Sequence, residues 1–127
     1  MNINRIVPQL KKLGVELLVQ FGSQVEGRAR PESDVDIGVS FIKNVPAPPR
    51  RHGQVYAYIQ ELFPGQRVDL VELEAASYPF QFKVASKGVP LYEASPASFA
   101  DFRERAMLRY FDFQPILRIH EEALQIV

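Results

Sequence analysis

The chain contains no cysteine, which excludes a disulfide framework and a thiolate metal site together. It also carries no net charge, since fifteen acidic side chains balance fifteen basic ones. Gripping long nucleic acid through its phosphates needs a basic excess, so no long nucleic-acid partner is expected, although a local basic groove is compatible with neutrality. No apolar run approaches a membrane span, and Met1-Asn2-Ile3-Asn4-Arg5 lacks the apolar core of a signal peptide. The expectation is a cytoplasmic protein with no membrane partner. Histidine is scarce too: His52 and His120 share no ligand spacing and read as structural or exposed. What remains is ordinary globular composition, 46% apolar and 24% charged over 127 residues. That is enough chain for one domain with a proper core.

Ile3, Ile6, Val7, Leu10 and Leu13 recur at helical spacing, with Pro8 in the first turns and Gly14 where a C-terminal cap belongs. The apolar run from Val15 to Phe21, bounded by Gly14 and Gly22, reads as a buried strand. A polar loop from Ser23 to Ser33 follows. Residues 34–41 alternate, placing Val35, Ile37 and Val39 on one face and Asp34, Asp36 and Gly38 on the other. Three prolines within residues 46–49 make 44–51 an irregular loop. Val55, Ile59, Leu62 and Phe63 form a helical face ended by Pro64-Gly65, and residues 67–73 read as a third strand. A short helix from Tyr78 through Ser86, closed by Gly88, precedes a short strand at 89–92. Ser95-Pro96 is a helix start, and Pro115 predicts a kink or a break in the last helix near Phe111 or Asp112. The expected fold is α/β (α+β): a small mixed sheet of three to four strands packed by helices, with a core at about 3–92 and a helical segment at about 95–127.

Chemistry concentrates between residues 21 and 36. Asp34 and Asp36 lie two apart in a strand and so share a face, where two like charges repel unless a cation sits between them. Nucleotidyl transfer is mostly positioning and charge neutralisation, and Mg²⁺ takes a few carboxylates plus water and phosphate oxygens. Asp69, embedded among Val68, Leu70 and Val71, is the candidate third carboxylate, as metal ligand or as base; its alternative is an ion pair with Arg67. Gly22 and Ser23 lie where backbone N–H groups and a hydroxyl could meet a phosphate. Arg28 and Arg30 are candidates for phosphate or partner contact, or plain surface charges. Arg50 and Arg51 read as solubilising. The aromatic cluster at Tyr78, Phe80 and Phe82 reads first as core, with some of it available to a partner.

Gly22-Ser23, ten residues, then Asp34-x-Asp36, with Gly27 and Ser33 in their usual places, resembles the signature of the DNA polymerase beta-like nucleotidyltransferase superfamily. The short length resembles its minimal nucleotidyltransferase (MNT) branch. Gly88-x-Pro-Leu-Tyr-Glu and the tail Phe111-Asp112-Phe113 are similar to antitoxins of HEPN/MNT toxin–antitoxin pairs. The resemblance implies a nucleotidyltransferase fold, ATP as co-substrate and Mg²⁺ as cofactor, two ions in the usual arrangement, with Mn²⁺ able to substitute. It gives Asp34, Asp36 and Asp69 as catalytic metal ligands and Gly22, Ser23, Arg28 and Ser33 as nucleotide-binding residues. It also implies a hetero-oligomer with a HEPN ribonuclease toxin, silenced when AMP is transferred to one of its hydroxyls, typically a tyrosine. Two alternatives stand beside this: an antitoxin that neutralises by binding alone, and a nucleotidyltransferase acting on a small molecule.

Overall fold

The computed structural model describes residues 1–28, 30 and 34–126, with backbone alone at 113–121 and 124–126. A 3-10 turn at Ile3–Arg5 leads into α1 (Val7–Lys12), with Pro8 in its first turn. Gly14, at φ +73°, then reverses the chain into β1 (Val15–Phe21). The remaining elements are β2 (Val35–Phe41), α2 (Arg51–Leu62), β3 (Val68–Glu72), α3 (Tyr78–Lys87), β4 (Val89–Glu93) and α4 (Ser98–Ile126). The four strands form one mixed sheet in the order β3-β2-β1-β4. β1 pairs antiparallel with both β2 and β4, whereas β2 and β3 run parallel with α2 as the crossover.

Helices cover both faces of this sheet. On one face Leu10 of α1 and Val55 and Ile59 of α2 pack against Val15, Leu18, Val35, Ile37 and Val39. On the other, Val84 and Ala85 of α3 and Phe102 and Ala106 of α4 pack against Leu17, Val19, Phe21 and Leu73. The alternation in β2 therefore feeds two cores, because Gly38, on the acidic face, lies beneath Leu73 of the second core. A methyl group on Gly38 would stand 2.6 Å from a Leu73 methyl, and Leu73 is fully buried and has no room to swing away. Gly38→Ala is expected to destabilise the fold by about 1–3 kcal/mol in urea unfolding, the usual cost of overpacking. Unchanged stability would mean that Leu73 repacks freely.

Two expectations about the last helix are corrected. It begins at Ser98, not at Pro96: Ser95, Pro96 and Ala97 form a turn, and the Glu93 carboxylate accepts the Phe99 N–H at 2.9 Å. Ser98 instead donates its hydroxyl to Glu16 of β1 at 2.6 Å, which ties the helix start to the sheet. The helix also continues through Pro115 to Ile126 without the expected break. A proline there removes one backbone hydrogen bond, at about 3 kcal/mol. Hydrogen-bonded turns on both sides carry the helix across it. The side chains of Phe113, Leu117, His120 and Leu124, and all of Val127, lie outside the described residues.

Arg51 is corrected too. Its guanidinium lies 3.7 Å from the centre of the Phe41 ring, a packed cation–π contact and not a merely solubilising charge. Within the aromatic cluster, Phe80 meets Phe21 edge to face and Phe82 stacks on Tyr110 at 4.1 Å, while Tyr78 is exposed. Among the described residues no helix is long and apolar enough to cross a membrane.

Candidate active site

Asp34 and Asp36 stand where β2 begins, beside the turn that leaves β1. Asp36 lies opposite Phe21 on one neighbouring strand and opposite Asp69 on the other. Partners in a parallel register point to the same face, with strands about 4.8 Å apart, so the Asp36 and Asp69 side chains are neighbours. Asp34, two residues before Asp36, extends the row. The face is the one covered by α3 and α4, and the carboxylates occupy its open end. Asp36 is half-buried and Asp69 exposed. The expectation of a costly acid inside an apolar strand is therefore corrected: Val68 and Leu70 point to one core, and Asp69 points the other way, off the sheet end.

Gly22 is fixed by this row. Its φ of +84° belongs to the left-handed region, and a Cβ there would lie 3.0 Å from Asp36 Cγ and collide with Oδ2. The turn backbone thus runs directly against the carboxylate. Beyond it the chain folds into a hydrogen-bonded turn, with Glu26 N–H donating to Gly22 O at 3.1 Å and Arg28 N–H to Ser23 O at 2.9 Å. Gln24 clips this turn to the strand ends: its amide donates to Asp34 O at 3.4 Å and to Gln66 Oε1 at 3.2 Å. Ser23 is half-buried in the turn. Arg28 is exposed and bonded to Glu26 at 3.1 Å. Arg67 approaches Asp34, at 3.9 Å, and not Asp69. Ser33 lies outside the described residues.

Crowding of negative charge has a measurable consequence. Burial pushes the Asp36 carboxyl above its ordinary value of 3.8, Asp69 and Asp34 push it further, and Lys83 of α3 pulls it down. A raised folded-state pKa means that Asp36 supports folding fully below its unfolded value and less as pH rises through the folded one. Ionised Asp36 therefore weighs against the fold at neutral pH. Asp36→Asn is expected to melt a few degrees higher than wild type at pH 7 in chelator, the gap closing as pH falls below 3.8. A variant that melts lower at pH 7 would contradict this electrostatic picture.

The donor set suits a hard divalent cation. Among the described residues no three His, Cys, Asp or Glu side chains already enclose a metal position. The three carboxylates form an open rim, in keeping with Mg²⁺, which retains waters and takes phosphate oxygens in place of a closed protein cage. Sequence reasoning missed Lys83 and Gln24. Neither carries a local signal: Lys83 bears on Asp36 only because α3 packs across the second face of the sheet.

A family profile described as "Polymerase beta, Nucleotidyltransferase" matches residues 3–97. No curated protein matches the chain by sequence. Among solved structures, a chain of a toxin–antitoxin complex crystallised with AMP-PNP superposes with a TM-score of 0.76 at 21% identity, covering 98% of this chain and 99% of that one. A chain from tri-AMPylated Shewanella oneidensis HEPN toxin in complex with MNT antitoxin gives 0.68 at 19% identity over 96% and 94%. A minimal nucleotidyltransferase gives 0.57 at 25% identity over 69% and 87%. The first two likenesses establish a common fold along nearly the whole chain.

Proposed function

The chain belongs to the polymerase beta nucleotidyltransferase family, and from that premise we propose that it is a metal-dependent protein adenylyltransferase acting as an antitoxin. Its substrate is ATP, and its acceptor is a hydroxyl, typically a tyrosine, of a partner HEPN ribonuclease toxin. The observation that carries the reaction class is the row of Asp34, Asp36 and Asp69 on adjacent strands, pressed against a turn with no side chain at Gly22. Support for the acceptor comes from the relatives, one of them in complex with an AMPylated HEPN toxin.

In the reaction the acceptor oxygen attacks the α-phosphorus of ATP. The new oxygen–phosphorus bond forms as the bond to the bridging oxygen of the β-phosphate breaks, and pyrophosphate leaves with that electron pair. Asp69, the most exposed of the three acids, is the one to take the hydroxyl proton. Asp34 and Asp36 would hold Mg²⁺, which would supply neutralisation of the phosphate charge. Gly22 and Ser23 present backbone and hydroxyl to the phosphates, and Gln24 keeps that turn in place. A hetero-oligomer with the HEPN partner supplies the surface that presents the acceptor.

Intact-mass spectrometry of the HEPN protein after incubation with this chain, ATP and Mg²⁺ tests the assignment. Mass increments of whole AMP units on the partner are expected. A partner that forms a stable complex yet stays unmodified would replace this reading with neutralisation by binding alone.

A further inference from the structure

We propose that the outer edge of β3 binds the acceptor protein as an added strand, bringing the hydroxyl to be modified beside Asp69 on an extended segment. This role rests on the nucleotidyl-transfer reading and names how its protein substrate is held. The backbone comes first. Val35 N–H donates to Arg67 O at 2.8 Å, and β2 pairs with β3 from Val35↔Val68 to Val39↔Glu72 without a shift. In a parallel pair every second residue turns both of its backbone groups toward the neighbouring strand. Arg67, Asp69 and Val71 therefore bond toward β2, while Val68, Leu70 and Glu72 face the other way. β3 is the last strand of the sheet on that side. Among the described residues nothing bonds to the N–H or C=O of Val68 and Leu70, or to the N–H of Glu72.

The two edges of the sheet differ. β4 carries Pro90 and pairs with β1 through a register shift, and both features discourage a further strand. β3 has neither. Val68 and Leu70 bury their side chains in the first core, whereas Arg67, Asp69 and Val71 share the face of the acid row. Free backbone donors and acceptors at strand spacing call for one kind of ligand, an extended peptide. Added at about 4.8 Å, such a strand sets one side chain next to Asp69 and so continues the row that runs from Asp36. A hydroxyl there stands beside the carboxylate that takes its proton. Two residues to either side, the added strand meets exposed Arg67 and half-buried Val71. The acceptor segment that fits has an acidic residue two positions from the hydroxyl on one side and an apolar residue two positions away on the other.

Amide hydrogen exchange by NMR tests the pairing, on this chain alone and in complex with the unmodified HEPN partner. Mg²⁺ and α,β-methylene-ATP, which cannot release pyrophosphate, are present in both samples. The Val68, Leu70 and Glu72 amides should exchange about tenfold more slowly or better in the complex, as a new hydrogen bond gives. Glu72→Pro removes one of these donors. Glu72 has a φ of −79°, which proline adopts, and its N–H has no bond to lose, so the melting temperature should not change. In the transfer assay this variant should raise KM for the HEPN protein about tenfold or more, while KM for ATP stays put. His52→Ala breaks the 3.7 Å contact between His52 and Glu72 from the other side and should keep the wild-type KM. Unchanged exchange at all three amides would overturn the edge role while leaving AMP transfer by wild type standing. Protected amides with a wild-type KM in Glu72→Pro would overturn it too, since the edge would then be covered without serving the acceptor. If Glu72→Pro melts lower, the exchange result decides alone. A partner that wild type leaves unmodified would overturn the reaction and the edge role together.

Discussion

Replacing Asp34 and Asp36 together by asparagine is expected to lower AMP transfer by on the order of 10³-fold or more. Several kcal/mol of transition-state charge stabilisation disappear with the two ligands, at about 1.4 kcal/mol per decade of rate. The double variant should fold at least as well as wild type, since both side chains keep their shape and the repulsion around Asp36 is relieved. Its complex with the toxin should persist, because two isosteric changes on the open rim leave the helical surfaces untouched. Stability, complex formation and transfer therefore separate in one variant. In cells the same variant distinguishes catalysis from masking: under the transfer reading it protects poorly against the toxin at matched expression. Protection equal to wild type would favour neutralisation by binding alone.

Gly22→Ala should be nearly as damaging, for a different reason. The added methyl meets the Asp36 carboxylate and the backbone is held at a φ of +84°, so either the turn or the carboxylate must move. A shift near 1 Å in a catalytic row can lower the rate about 100-fold, and the left-handed residue alone costs about 1–2 kcal/mol. Gly65→Ala is the matched control. Gly65 has a φ of +75° with open space where the methyl would go. Both variants should lose similar stability from the backbone, but only Gly22→Ala should lose transfer. Equal activity in the two would mean that the close approach of turn and carboxylate has no part in the reaction.

Much of this arrangement was legible in the sequence because it is local. Val15 to Phe21 is an apolar run with a glycine at each end, and β1 has those same bounds. Gly22 and the Asp34-x-Asp36 pair sit at one turn, so spacing alone placed them together. Asp69 is a longer reach across the crossover, yet a strand pattern with one acid admits few registers, and it falls opposite Asp36. What escaped depends on packing between distant segments. Lys83 looks like any helix-surface lysine until α3 is laid over Phe21. Arg28, a candidate for phosphate or partner contact, pairs locally with Glu26 two residues away. Local rules failed at the last helix, where Glu93 serves as the cap expected of Ser95 and where the turns around Pro115 carry the helix through.

Incubation with the HEPN partner and Mg²⁺ in two parallel reactions, one with ATP labelled at the α-phosphate and one at the γ-phosphate, tests the central claim most directly. Attack at the α-phosphorus with pyrophosphate leaving predicts that the partner acquires the α-label and none of the γ-label, and that the Asp34→Asn, Asp36→Asn double variant transfers neither. Label from the γ-position on the partner, or α-label that survives the double substitution, would contradict it.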